Sequence, residues 1–211
     1  MLKKIAIVAV AVALTGCGGG GGGGGSGAPA STGGTPGGSG GALPVLASSG
    51  TLVNASAGVT PAWVDGSTSS GGKGATIGGV ECLTAETYHL HAHLTIIKDG
   101  VTQRVPAQIG LTGCAYELHT HDYTGVIHVE TSAAKKFTLG QFFSVWGQPL
   151  SATNVAGLSG ASVRFFISDA GNLVEYTGDP TAIEITQHRS IYIVIGTVPA
   201  TLPKDEWPAT L

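Results

Sequence analysis

The chain has 211 residues, with 10 Lys and Arg against 13 Asp and Glu and a formal net charge of −3 at pH 7. Only 11% of residues are charged and no basic stripe runs through them, which argues against nucleic acid as a partner. Many of the 35 glycines gather near the N-terminus, so low charge and high glycine describe a linker more than a folded core.

The first element is a charged pair, Lys3-Lys4, followed by an apolar run from Ile5 to Leu14. The run is too short to span a bilayer as an ordinary helix and reads as the apolar region of a secretory signal. It ends Leu14-Thr15-Gly16-Cys17, a small residue followed by a cysteine. In these residues the chain resembles bacterial lipoprotein precursors. The resemblance implies a signal peptide over residues 1–16, cleavage before Cys17, lipidation of Cys17 and export. Gly18 stands second in the mature chain where an aspartate would imply inner-membrane retention. By the same resemblance the expected address is the cell envelope: the outer membrane facing the periplasm, or the cell surface. The membrane is then a partner, through the lipid.

Residues 17–74 read as a flexible linker. Gly18 to Gly25 is an unbroken glycine run, and only Asp65 and Lys73 carry charge between Gly18 and Gly74. Such a stretch cannot bury enough apolar surface to offset its ordering entropy, and as a coil it would span about 40 Å. Leu43, Val45, Leu46, Leu52, Val53, Val59 and Trp63 leave an alternative open, in which 43–63 docks as an extra edge strand. Export also bears on the two remaining cysteines. Oxidising compartments allow disulfides, and a Cys82–Cys114 bridge is expected. It would close a loop around the first histidine strand and stabilise by about 3 kcal/mol. The alternative is a pair of thiolate ligands.

The folded domain is expected over 75–211 and is mainly β. Tyr88 to Ile97 alternates, with Tyr88, Leu90, Ala92, Leu94 and Ile96 on one face and His89, His91, His93 and Thr95 on the other. Asp99-Gly100 is a hairpin turn, and Val101 to Val105 returns until Pro106. Ala115 to His121 is a third strand, Asp122 to Gly125 a turn, and Val126 to Glu130 the return. Thr138-Leu139-Gly140-Gln141 fits a capping box, with Phe137 and Phe142 as its hydrophobic staple. Gly147 and Pro149 then stop a short helix over Leu139 to Trp146. Ala161 to Ser168, Leu173 to Thr177, Ile183 to Thr186 and Ser190 to Gly196 read as strands, and Pro199 to Pro208 as irregular chain. Strands with turns every 8–12 residues predict an antiparallel sandwich or small barrel with one short capping helix.

Six of the seven histidines fall between His89 and His128. Histidine is the commonest neutral nitrogen ligand, and two at i and i+2 on a strand share a face. Zinc takes N, S and O donors in a tetrahedron, whereas copper(II) prefers a flatter array. With a four-residue loop at Asp122–Gly125, His119 pairs with His128 and Glu117 with Glu130, so His119, His121 and His128 converge. A three-residue loop with a bulge would move His128 off that face. Opposed glutamates are unfavourable unless a cation sits between them. The expected metal ligands are His91, His93, His119, His121 and His128, with His89 next. Glu117, Asp122 and Glu130 are expected as acceptors that orient the rings. His89 and His93 lie about 13 Å apart along the strand, too far for all three of its histidines to reach one ion. His188 stands apart from the cluster. A pH-sensing cluster and an incidental polar face are the other readings of these histidines.

The segments Tyr88-His89-Leu90-His91-Ala92-His93-Leu94, Leu118-His119-Thr120-His121-Asp122, Gly125-Val126-Ile127-His128-Val129-Glu130 and Phe137 to Phe143 resemble uncharacterised His-rich exported bacterial proteins. That resemblance implies no activity. A looser likeness is to copper–zinc superoxide dismutases, which are also exported β-proteins with an HxH strand. The chain departs from them in lacking the zinc-loop histidine series and the aspartate-bearing segment, and in having the 138–146 helix. The function expected is a lipid-anchored, extracytoplasmic protein that binds, buffers or transfers copper or zinc. A metal-dependent enzyme, hydrolytic or copper-redox, is the alternative, and a surface interaction module is the third.

Overall fold

Apolar alternation and two-residue turns build most of this fold. The computed structural model describes residues 42–211, except 56, 57, 60 and 62. The expected signal peptide, Cys17 and the linker to residue 41 lie outside the described residues.

The strands are β1 (Val45–Leu52), β2 (Tyr88–Lys98), β3 (Val101–Gln103), β4 (Leu118–His119), β5 (Val126–Thr131), β6 (Phe137–Thr138), β7 (Val163–Asp169), β8 (Asn172–Tyr176), β9 (Glu184–Ile185), β10 (Ser190–Ile195) and β11 (Thr201–Glu206). Helix α1 is Leu139–Trp146. The main sheet has the order β4-β5-β2-β10-β7-β8, with β3 also on β2. It stays open, so the sandwich form holds and the small barrel does not. The sheet is mixed rather than purely antiparallel, because β10 lies parallel to β2. Two ribbons complete the fold, β1–β11 and β6–β9.

Local chemistry explains the turns and the helix. Asp99 and Gly100 both have positive φ, 49° and 80°, as do Ala170 and Gly171, 50° and 84°. These two-residue turns match the twist of the strands they join. Thr138 accepts from the Gln141 amide while Gln141 reaches back to the Thr138 amide, which completes the capping box. Gly147 ends the helix in the left-handed conformation, its N–H donating to Ser144 O.

The main sheet is buried on both faces. On one, Leu90, Leu94, Ile96, Ile127, Ile191 and Ile193 pack in the same core as Phe142, Phe143, Val145 and Trp146 of α1. On the other, Ile97, Phe166, Tyr192 and Val194 pack with Leu202 of β11 and Leu46 of β1. The histidines of β2 alternate onto this second face.

The strand expected over Ala115 to His121 is confined to β4, and two longer stretches differ from expectation. Pro199 to Pro208 is not irregular, because it contains β11, parallel to β1. The register slips between Leu46 and Gly50, opposite Pro203, so the bulge absorbs the missing N–H. Leu202 supplies the anchor, being fully buried. The edge-strand alternative for 43–63 is the one observed. Val53 is buried, and Trp63 donates its indole N–H to Ala156 O while meeting Trp146 edge-on. The described residues from Ala42 on thus belong to the same compact unit as the rest of the domain. The Cys82–Cys114 disulfide is formed, with Cα atoms 5.9 Å apart.

Candidate metal centre

The site is a consequence of strand order. β5 lies between β4 and β2, so His128 stands opposite His119 on one side and His91 on the other. Glu130, two residues on, stands opposite His89. Directly opposed residues share a face and bring their side chains within contact range. The His119–His128 register is the one a four-residue loop predicts. That loop closes tightly on β2, where the Leu94 amide donates to Gly125 O. Gly125 has φ +86°, and a Cβ there would strike the Leu94 carbonyl, so glycine is required.

Glu130 Oε1 occupies the middle of the cluster. It lies 3.3 Å from His119 Nε2, 3.4 Å from His89 Nε2, and 3.8 Å from both His121 Nε2 and His128 Nδ1. His119 Nε2 and His121 Nε2 are 3.3 Å apart, as are His89 Nε2 and His128 Nδ1. A tetrahedral ion with bonds of about 2.0–2.1 Å has donor–donor edges of about 3.3–3.4 Å. The nitrogens and the carboxylate oxygen are thus already near ligand spacing. His119, His121, His128 and Glu130 form one four-donor set, and His89, His91 and His128 form another of three.

The rings are held in orientation from behind. His119 Nδ1 donates to Tyr116 O at 2.7 Å, which leaves the Nε2 lone pair facing Glu130. His89 Nδ1 lies 2.9 Å from Glu86 Oε1, with its Nε2 turned inward. Such acceptors fix tautomer and ring angle in metal sites. Burial, reinforced by the surrounding rings, pushes His128 down to about 2 and His91 down to about 4. Burial also lowers His119. These three rings are neutral near pH 7 and keep the lone pairs that ligation needs.

Not every expected residue belongs here. His93 is a correction to the ligand pool, since both its nitrogens are engaged, Nδ1 with Asp205 Oδ2 at 2.6 Å and Nε2 with Thr124 O at 2.9 Å. Burial pulls this ring down, but the Asp205 hydrogen bond and charge and the Thr124 carbonyl outweigh it and leave the pKa raised. His93 is therefore a buried imidazolium clamp between β2 and β11. Glu117 is a second correction. The chain swings toward residue 81 there, and the carboxylate takes Lys135 Nζ at 2.7 Å and the Glu81 amide at 3.0 Å. No metal is needed between it and Glu130. Asp122 is a third, because its carboxylate caps its own turn through the Thr124 amide and hydroxyl. Glu130, expected to orient rings, itself offers an oxygen to the four-donor set. Glu86 and Tyr116 O were not anticipated; Glu86 had a signal, an acid three residues before the first histidine. His188 stacks on Trp207, outside the cluster.

Comparison with known proteins gives no matching family model, no matching curated protein and no matching solved structure. What the side chains themselves establish is a largely buried histidine–glutamate cluster able to hold a metal ion.

Proposed function

We propose that the protein is a lipid-anchored envelope protein that binds a zinc-class divalent ion through His119, His121, His128 and Glu130, for buffering or transfer. One observation carries this reading: Glu130 Oε1 sits 3.3–3.8 Å from a nitrogen each of His119, His121 and His128. That spacing supports zinc over copper(II), which prefers flatter coordination. Four side-chain donors already surround one position, whereas hydrolytic zinc keeps a place for water. This favours a binder over a hydrolase. The lipid anchor is supported by the Leu14-Thr15-Gly16-Cys17 sequence, and export by the oxidised Cys82–Cys114 pair.

The test is a titration of the full chain, purified without an affinity tag, against Zn(II) and Cu(II). Zinc should bind tighter than about micromolar, and His121→Ala, whose ring is half exposed, should weaken it at least about tenfold with the fold intact. Failure of both metals to bind below about micromolar overturns the reading. Fatty-acid labelling in cells tests the anchor separately, and label should vanish in Cys17→Ser.

A further inference from the structure

The four-donor set leaves two rings of the first histidine strand unused. His89 and His91 form a set with His128, one donor atom from each lying within 4.8 Å of the others. Their rings pack together, with centroids 4.4 Å apart for His89 and His91, 4.6 Å for His91 and His128, and 5.6 Å for His89 and His128. No set joins His89 or His91 to His119 or His121. One ion therefore does not use both groups, and the surplus of histidines calls for a separate reason.

His91 supplies it. The residue is 6% exposed, and its Nε2 is buried without a hydrogen-bond partner. It is the one histidine nitrogen so left among the described residues. A buried polar atom left unpaired is destabilising, and native structures keep few of them. Mobility does not account for it, since the backbone at this residue is tied on both sides. The His91 amide donates to Gln187 Oε1 at 2.9 Å, and its carbonyl accepts from the His188 amide at 2.7 Å. Beside it, Glu86 holds His89 Nδ1 and leaves His89 Nε2 3.3 Å from His128 Nδ1. The ring with the unpartnered nitrogen thus packs against two others, one of which an acid already orients.

We propose that the cluster is a two-ion centre, in which a second divalent cation is held by His89 and His91, with His128 standing between the two ions. This rests on the metal-binding reading above. His128 turns Nδ1 toward both groups, 3.3 Å from His89 Nε2 and 3.8 Å from Glu130 Oε1. Glu86 adds a carboxylate at the outer edge, where it forms a further set with His89 and Glu130.

The experiment is calorimetric titration of the full, disulfide-bonded chain with Zn(II) alone, after chelator treatment, with elemental analysis of the dialysed product. Wild type should take up two ions. His91→Ala should take up one, with the affinity of the remaining ion within about threefold of wild type. Because His91 is buried, His89→Ala at the rim is the companion variant, with the same loss expected. Saturation of wild type at one ion overturns the second site and leaves the first standing. Retention of two ions by both variants overturns it as well. Uptake of no ion removes both readings.

Discussion

Glutamine at Glu130 tests the centre most directly, because it removes a charge while keeping the shape. Oε1 is within 3.8 Å of four histidine nitrogens, and it is the anionic donor of the four-residue set. An amide oxygen is a neutral and weaker donor to zinc. Losing the carboxylate should weaken binding at least about 100-fold, about 2.7 kcal/mol. Zinc at about 100 times the wild-type Kd stabilises the wild-type fold by about 2.7 kcal/mol. For a domain of this size that is a shift in Tm of about 5–11 °C. With Kd raised 100-fold, the same zinc concentration leaves Glu130→Gln only about 0.4 kcal/mol, under about 2 °C. In the metal-free protein the change is small and of opposite sign. Glu130 is buried with no Lys or Arg partner among the described residues, so removing its charge relieves desolvation. Thermal melts by circular dichroism, with and without zinc, measure both effects. A variant that keeps the wild-type zinc shift would refute ligation by the carboxylate.

Replacing Cys82 and Cys114 by serine should cost about 3–4 kcal/mol in a denaturant melt, since the bridge spans 32 residues; an unchanged midpoint would show that the loop needs no fastening. Asp205→Ala should cost about 3–5 kcal/mol by stranding the buried His93 ring, and should speed amide exchange over Val45–Leu52, which pairs with the strand that carries Asp205. Metal-free protein should lose stability as pH falls from about 7 to about 5. The unfolded chain takes up protons below the ordinary value of 6.5, while the fold holds His91 at about 4 and His128 at about 2, so protonation favours unfolding. His93 has the opposite sign: its contribution is present below 6.5 and is lost as pH rises through its raised folded value. Urea midpoints across this range decide the matter, and a midpoint that rises toward pH 5 contradicts the assignment.

What could be read from the sequence is what local chemistry specifies. The Asp99-Gly100 turn, the Thr138–Gln141 capping box and the Gly147 stop all need only neighbouring residues, and all are found. The His119–His128 register also followed, because a hairpin's pairing depends on its own loop length. Strand order is different. Nothing local places β5 beside β2, or β10 parallel to β2. Without that order, His89 and His91 could not be joined to His128, and Glu130 looked like an orienting group. His93 failed as a ligand for the same reason. Its partner Asp205 is 112 residues away, in a strand that Pro203 disguised.

Exposure across the cluster is graded, and the gradient bears on what the site does. The side chains of His121 and His89 are 52% and 36% exposed, whereas those of His119, His128 and Glu130 are 1%, 12% and 11%. The two exposed rings belong to different donor sets. Each set therefore has one potential donor at the rim and includes His128 further in. An arriving ion can exchange water for a rim histidine before it reaches the buried donors, and a leaving ion can reverse the order. A site built only for structural permanence would close over its ion, and a hydrolytic site would keep its exposed position for water rather than a fourth side chain. On the proposed reading, rim donors on both sides of a common buried histidine suit an ion that is taken up and passed on, as buffering or transfer requires.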